Sequence, residues 1–171
     1  MMGSGKTVTA SSLCQLLNAG SLKPPFRFVD LDACLEAKTG KTIPQIFEQE
    51  GEPFFRSLEK ETLKEVSRSN RQTVATGGGI VLNLENVRVM KKTGVVIYLK
   101  TSAEWLWRRV QGYRNRPLLR GKDPKTNLIR ILHERAGKYE KAADWEVLTD
   151  AKTPAQTAEE ILNWLGKNRK A

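Results

Sequence analysis

The chain has 171 residues, 39% of them hydrophobic and 28% charged, with a formal net charge of +10 from 29 Lys and Arg against 19 Asp and Glu. That length holds one domain with a full core and is short for two; its apolar runs, such as "GVVIYL", are too short to span a bilayer, and none sits at the N-terminus as a leader would. The basic residues are interspersed with acidic ones, so the charge argues for a small polyanionic ligand and against nucleic acid.

In chain order, residues 6–18 are expected as a helix, with Val8, Leu13, Leu16 and Leu17 on one side and Asn18, Ala19 and Gly20 as its stop. "SLKPP" is a turn, and "FRFVDLD" alternates like a short strand that ends on two aspartates. "ACLEAKTG" is a helix closed by Gly40, and "TIPQIFEQEG" is another, with Pro44 in its first turn and Gly51 after its end. "EPFFRSLEKETLKEVSRS" carries Phe54, Phe55, Leu58, Leu63 and Val66 at near-helical spacing. "QTVATGGGIV" reads as a strand running into three glycines, and "LENVRVMKKTG" as a helix with its terminal glycine. "VVIYLKTS" has the apolar, β-branched character of a parallel strand covered on both faces. "AEWLWRRVQGY" is helical, "RNRPLLRGKDPKTN" a charged loop of lid length, and "LIRILHERAGKYEKAAD" a helix. "WEVLTD" is a strand, "AKTPAQ" a turn and "TAEEILNWLGK" the last helix. Strands alternating with helices predict an open, mostly parallel α/β sheet, whose ligands gather at the carboxyl ends of the strands.

Four stretches carry chemistry. "GSGKT" matches the end of the phosphate-loop pattern Gly-x-x-x-x-Gly-Lys-[Ser/Thr] through Gly5, Lys6 and Thr7, with Gly3 adding backbone freedom; the first glycine would fall one position before Met1. Backbone N–H groups at a helix start face phosphate, Lys6 reaches the transferred group, and the Thr7 hydroxyl suits Mg²⁺. Asp30 and Asp32, one residue apart at a strand end, would point to one side of an extended chain. They fit a metal or a substrate hydroxyl, and equally a solvated turn. The glycines after Thr76 fit either a flexible turn or a close approach of backbone to a ligand. Arg116, held in a loop by Pro117 and Leu118, is placed as a lid residue that meets a phosphoryl group would be. His133 reads as a surface helical residue, and Cys14 and Cys34 as reduced thiols in a reducing compartment.

In their order and spacing, "MMGSGKT", "FVDLDACLEAKTGKTIPQIFEQEGEPFFRSLE", "ATGGGIV", "RPLL" and "ERAGKYEKAAD" resemble the shikimate kinases, small P-loop enzymes of the nucleoside-monophosphate-kinase fold. The resemblance covers nearly the whole chain. It implies a three-layer α/β/α P-loop domain over residues 1–171, with a substrate region at about 30–60 and a lid at about 112–126, lengths that functional loops commonly have. The implied reaction is ATP-dependent phosphorylation of the 3-hydroxyl of shikimate, on the route to chorismate and the aromatic amino acids, by a cytoplasmic monomer.

The resemblance also assigns roles. Gly3, Ser4, Gly5, Lys6, Thr7 and Val8 would hold ATP, and Thr7 with Asp30 would hold Mg²⁺. Asp32 would bind the attacking hydroxyl and take its proton. Arg56 and Arg135 would clamp the shikimate carboxylate, a task that suits planar two-donor groups. Gly77, Gly78 and Gly79 would bring backbone to the ring, and Arg116 would stabilise charge on the phosphoryl group. Arg109 would stack on adenine, Thr153 and Pro154 would line the base pocket, and Tyr139 and Glu140 would give structural support.

At its start the chain departs from the family, whose members carry a central strand and a glycine ahead of the phosphate loop. The expectation is a natural start about ten residues upstream, the length of a strand and its turn. Without that strand its neighbours would keep unpaired backbone groups, at about 1–3 kcal/mol each. The rival readings are another small-molecule P-loop kinase, such as a gluconate kinase, and a non-catalytic relative; substrate-dependent ADP release separates them.

Overall fold

The computed structural model describes residues 1–20, 24–111 and 123–168. Arg116, Pro117 and Leu118, most of the expected lid and part of the expected turn after the first helix lie outside these residues.

Helix α1 (Lys6–Asn18) starts on Gly5, whose left-handed backbone (φ 83°) turns the chain into it. Its buried face carries Thr9, Cys14 and Leu17, whereas Val8 is 56% exposed. The expected apolar face was therefore misplaced by one position at its start: buried Thr9 takes the place expected of Val8.

Strand β1 (Arg27–Asp30) stops earlier than expected. Asp30 accepts hydrogen bonds from the amides of Asp32 and Ala33, capping helix α2 (Leu31–Thr39), which ends on left-handed Gly40. Asp32 is consequently in the first turn of a helix, and the alternation that would have set it on Asp30's side of a strand does not apply. Helix α3 (Ile43–Gln49) opens with a capping box between Thr42 and Gln45. Gly51 does not trail α3; at φ 81° it opens helix α4 (Gly51–Val66).

Strand β2 (Gln72–Ala75) leads into Thr76–Gly79 and a single 3-10 turn at Ile80–Leu82. Helix α5 (Leu84–Thr93), strand β3 (Ile97–Lys100) and helix α6 (Ala103–Val110) follow. Helix α7 spans Pro124–Ala142, with Asp123 as its cap, so residues 124–127 are helix and not the tail of a lid loop. Strand β4 (Trp145–Leu148) and helix α8 (Pro154–Asn168) complete the chain; the expected turn at 151–156 is shortened because Pro154 starts the helix.

Both strand pairs are parallel. In one ribbon β1 lies beside β2 with Phe28 opposite Thr73, and in the other β3 lies beside β4 with Leu99 opposite Val147. Among the described residues the expected sheet is thus divided into two ribbons. Adjacent residues of β3 face different layers. Tyr98 packs with Leu128, Ile131 and Tyr139 beneath α7, while Leu99 packs with Val147, Leu13 and Ile161 beneath α1 and α8. Helices on both faces of parallel strands make the three-layer α/β/α arrangement that the alternating pattern predicts. Among the described residues no helix is long and apolar enough to cross a membrane.

Candidate active site

The carboxyl ends of the strands carry the expected chemistry. Gly3 (φ 76°) and Gly5 give the opening loop its curl. A β-carbon on Gly3 would lie 2.6 Å from Val110 Cγ1 and 3.3 Å from the Leu106 carbonyl oxygen, so α6 presses directly on the loop. Ser4, fully buried, donates to the Met1 carbonyl at 2.9 Å, and Lys6 Nζ donates to the same oxygen at 2.7 Å. At the start of α1 the exposed Thr7 hydroxyl donates to Asp30 Oδ2 at 2.9 Å. A hydroxyl and a carboxylate meeting at a phosphate loop are hard oxygen donors of the kind Mg²⁺ takes alongside nucleotide phosphates. Among the described residues no cluster of three or more His, Cys, Asp or Glu offers a self-sufficient metal cage.

Beside the loop lies a second set of groups, held by α4 and the glycines after β2. Arg56 is gripped from both ends. Its Nε and Nη2 donate to Glu52 Oε1 at 3.1 and 3.0 Å, and its Nη1 donates to Glu59 Oε2 at 2.9 Å. Its guanidinium also lies over the Phe55 ring, 5.0 Å from the centroid. A β-carbon on Gly79 would fall 2.5 Å from Arg56 Nη2, so this glycine is where the guanidinium and the backbone meet face to face. At Gly77 a β-carbon would lie 3.0 Å from Asp32 Oδ1 and 3.1 Å from Glu59 Oε1, which draws both carboxylates to one glycine.

Glu59 was not anticipated from the sequence. It is 1% exposed, and among the described residues its Oε1 has no hydrogen-bond partner. Burial raises its pKa above the ordinary carboxylate range, against the lowering effect of the Arg56 charge and with a smaller push from Asp32. Its only sequence signal was its spacing of three from Arg56, which places both on one side of α4.

Gly78 links this floor to α7. Its carbonyl accepts a 2.6 Å hydrogen bond from the Tyr139 hydroxyl, and Tyr139 stacks on Tyr98 at 5.1 Å. Burial raises the Tyr139 pKa, while the nearby charges of Arg135 and Arg56 oppose the rise. The charges of Arg135, from α7, and Arg56, from α4, the two expected carboxylate-binding arginines, therefore both act at the Tyr139 phenol. Glu140 instead faces outward and pairs with Lys100 at 2.9 Å. His133 is exposed, and Cys14 and Cys34 are both free thiols, as read from the sequence.

On the other side of the loop, Ser4, Gly5 and Thr9 share a cavity of about 130 Å³ with Arg109, Thr149, Lys152, Pro154 and Thr157. Arg109 Nη2 donates to the Thr149 carbonyl at 2.7 Å. Thr153, whose hydroxyl accepts from the Gln156 amide at 3.2 Å, caps α8 at the rim. Of the described site residues, Val8 alone shows no link to either group beyond its place beside Thr7.

Parallel strands flanked by helices, with a glycine loop at a helix start, a carboxylate-linked threonine and a lysine, define a P-loop phosphotransferase architecture. A family model described as shikimate kinase matches residues 2–166, and the chain belongs to that family. The chain is 38% identical to the shikimate kinase of Thermodesulfovibrio yellowstonii over 94% of its own length and 88% of the relative's. It is 40% identical to that of Pelotomaculum thermopropionicum, over 96% and 91%. Among solved structures it resembles a shikimate kinase from Acinetobacter baumannii in complex with shikimate, with TM-score 0.91 and 35% identity over 99% of this chain and 91% of the other.

Proposed function

We propose that this chain transfers the γ-phosphoryl group of ATP to the 3-hydroxyl of shikimate, within one domain whose substrate region is about residues 30–60 and whose lid ends before helix α7, at about 112–123. The observation that carries the reading is the convergence at Gly77 and Gly79: Asp32 and the anchored guanidinium of Arg56 stand on one glycine floor beside the phosphate loop. A carboxylate for a hydroxyl proton and a guanidinium for a carboxylate are what a hydroxy acid needs.

In this reading Asp32 takes the proton as the hydroxyl oxygen bonds to the γ-phosphorus and the bond from phosphorus to the β,γ-bridging oxygen breaks, releasing ADP. Arg56 and Arg135 fix the substrate carboxylate, and the backbone of Gly77, Gly78 and Gly79 lies against the ring. Lys6 and Arg116 neutralise charge on the phosphoryl group, and Arg109 with Thr153 and Pro154 receives the base. Thr7 and Asp30 would hold Mg²⁺, which would neutralise charge on the nucleotide phosphates. Catalysis of this kind rests on positioning and on charge placed beforehand, with little covalent chemistry left to the protein. The protein would work as a cytoplasmic monomer.

The test is ADP release with ATP and Mg²⁺ in the presence and absence of shikimate. Shikimate-dependent release that is lost in Asp32→Asn supports the proposal. Release that depends on gluconate instead, or ATP binding with no acceptor-dependent turnover, overturns it.

A further inference from the structure

At the carboxyl end of β4, Thr149 is tied into the fold by several bonds. Its amide donates to the Lys100 carbonyl at 2.8 Å, and its hydroxyl meets the Thr101 hydroxyl at 2.6 Å, with both side chains buried. Asp150 beside it accepts from the Ser102 amide at 2.9 Å. The turn that follows is closed by the Lys152 amide, which donates to the Thr149 carbonyl at 3.3 Å, and it passes through Ala151 at φ 55°. A left-handed backbone in a residue with a side chain costs free energy and persists where the surroundings over-determine it. These bonds fasten the end of β4 to the end of β3 and the start of α6.

Arg109, in the last turn of α6, grips this fixed residue at two points. Its Nη1 donates to the Thr149 hydroxyl at 3.3 Å and its Nη2 to the Thr149 carbonyl at 2.7 Å. One bond would leave the guanidinium free to swing about it, whereas two bonds from a planar group to one residue set its orientation. Trp105, one turn back on α6, has its ring centroid 5.6 Å from Arg109 Cζ and takes no part in the cavity beside the phosphate loop. The guanidinium is therefore backed by an indole and borders that cavity of about 130 Å³. Thr149 borders it too but is only 2% exposed, so its leverage on a ligand runs through Arg109.

We propose that Thr149 is a positioning residue for the nucleotide base: it fixes the orientation in which Arg109 presents its guanidinium to the cavity. The inference rests on the reading that this cavity, which shares Ser4 and Gly5 with the phosphate loop, receives the base of ATP. A guanidinium meets a planar ring through its face, and an unanchored one would have to be ordered each time a base bound. Held by two acceptors of a residue that is itself immobile, Arg109 is ordered before the ligand arrives. Among the described residues Thr149 makes no hydrogen bond to the phosphate loop, so its influence stops at the base.

The test titrates the full chain and its variants calorimetrically with ADP and with tripolyphosphate, a probe that carries phosphates and no base. Thr149→Val should weaken ADP binding about tenfold, the size of one hydrogen bond to a charged group, and leave tripolyphosphate binding unchanged. Thr149→Ser should restore ADP binding. Thr101→Val breaks the same hydroxyl pair but keeps the acceptor for Arg109, and should bind ADP as the parent does. In an Arg109→Ala background, Thr149→Val should add nothing. If Thr149→Val folds poorly because the Thr101 hydroxyl is left alone, Thr101→Val with Thr149→Val replaces both by groups of matching shape and should show the same selective loss. The inference is overturned if Thr149→Val binds ADP normally, weakens both probes alike, or still weakens ADP without Arg109. A parent that binds ADP, with variants that behave in any of those ways, sinks this inference alone. A parent that binds tripolyphosphate and ADP equally, or neither, overturns the base-site reading together with it.

Discussion

Arg56 lies against Gly79 so closely that a β-carbon there would sit 2.5 to 2.8 Å from three guanidinium atoms. The guanidinium has little room to yield, because Glu52 and Glu59 hold it on both sides. Gly79 itself has φ −94°, an ordinary value, so its requirement for glycine is one of space and not of backbone strain.

Gly79→Ala is therefore expected to displace Arg56 while leaving the fold intact. The KM for shikimate should rise about tenfold or more, with an unfolding midpoint lowered by the equivalent of about 1–3 kcal/mol as buried Glu59 loses its partner. Steady-state kinetics beside a urea titration read both quantities. A normal KM would show that Arg56 does not bind the substrate.

Glu59→Gln isolates a buried charge. Burial sets Glu59's pKa in the folded protein above its ordinary 4.5, so the folded state holds that proton more tightly than the unfolded chain does. The stabilisation is whole below pH 4.5 and is lost as pH rises through the folded value. Glutamine does not titrate, so the stability of the variant relative to the parent should climb with pH across that window. Urea midpoints for both proteins, taken from roughly pH 4 to 7, give the difference; a constant difference would refute the raised pKa.

Thr7→Val removes the hydroxyl that donates to Asp30 from an exposed site. Stability should change by less than about 0.5 kcal/mol. The Mg²⁺ concentration needed for half-maximal turnover should rise about 10- to 100-fold, and Thr7→Ser should restore it. Turnover measured across a Mg²⁺ titration distinguishes this from a general loss of activity.

Gly3→Ala meets two obstacles, a left-handed backbone and Val110 Cγ1 at 2.6 Å. It should destabilise the protein by about 2–4 kcal/mol and weaken ATP binding. Adding Val110→Ala relieves the contact but not the backbone strain, so the double variant should recover only part of the binding. Full recovery would assign the whole effect to packing.

The glycines explain why much of the site was legible in the sequence. Gly3, Gly5, Gly77 and Gly79 each stand where a side chain would strain the backbone or strike a neighbour, and such positions show as glycine whatever surrounds them. Asp30 and Asp32 were found but misplaced. Aspartate both ends strands and caps helices, and Leu31 between them is fully buried in either case. Glu59 was invisible because "SLEKE" reads as a charged helical surface; its burial, beside Arg56 of the same helix, depends on the Gly77 loop, which approaches from elsewhere in the chain. Parallel pairing was legible from "VVIYLK", but the division into two ribbons depends on contacts between segments distant in sequence.

Glu59 lies beside both Arg56 and the glycine that Asp32 approaches. Its Oε2 holds Arg56, and its Oε1 faces the same glycine as Asp32. In the proposed reaction the spacing between anchor, Arg56, and base, Asp32, therefore follows from how α4 and α2 meet at Gly77, with Glu59 buried beside both. This makes the site a length gauge. A hydroxy acid whose carboxylate is one carbon further from its hydroxyl can satisfy the arginine or the aspartate, but not both. Such analogues should still bind, through the arginine, and fail in turnover, so selectivity among hydroxy acids would appear in kcat more than in affinity.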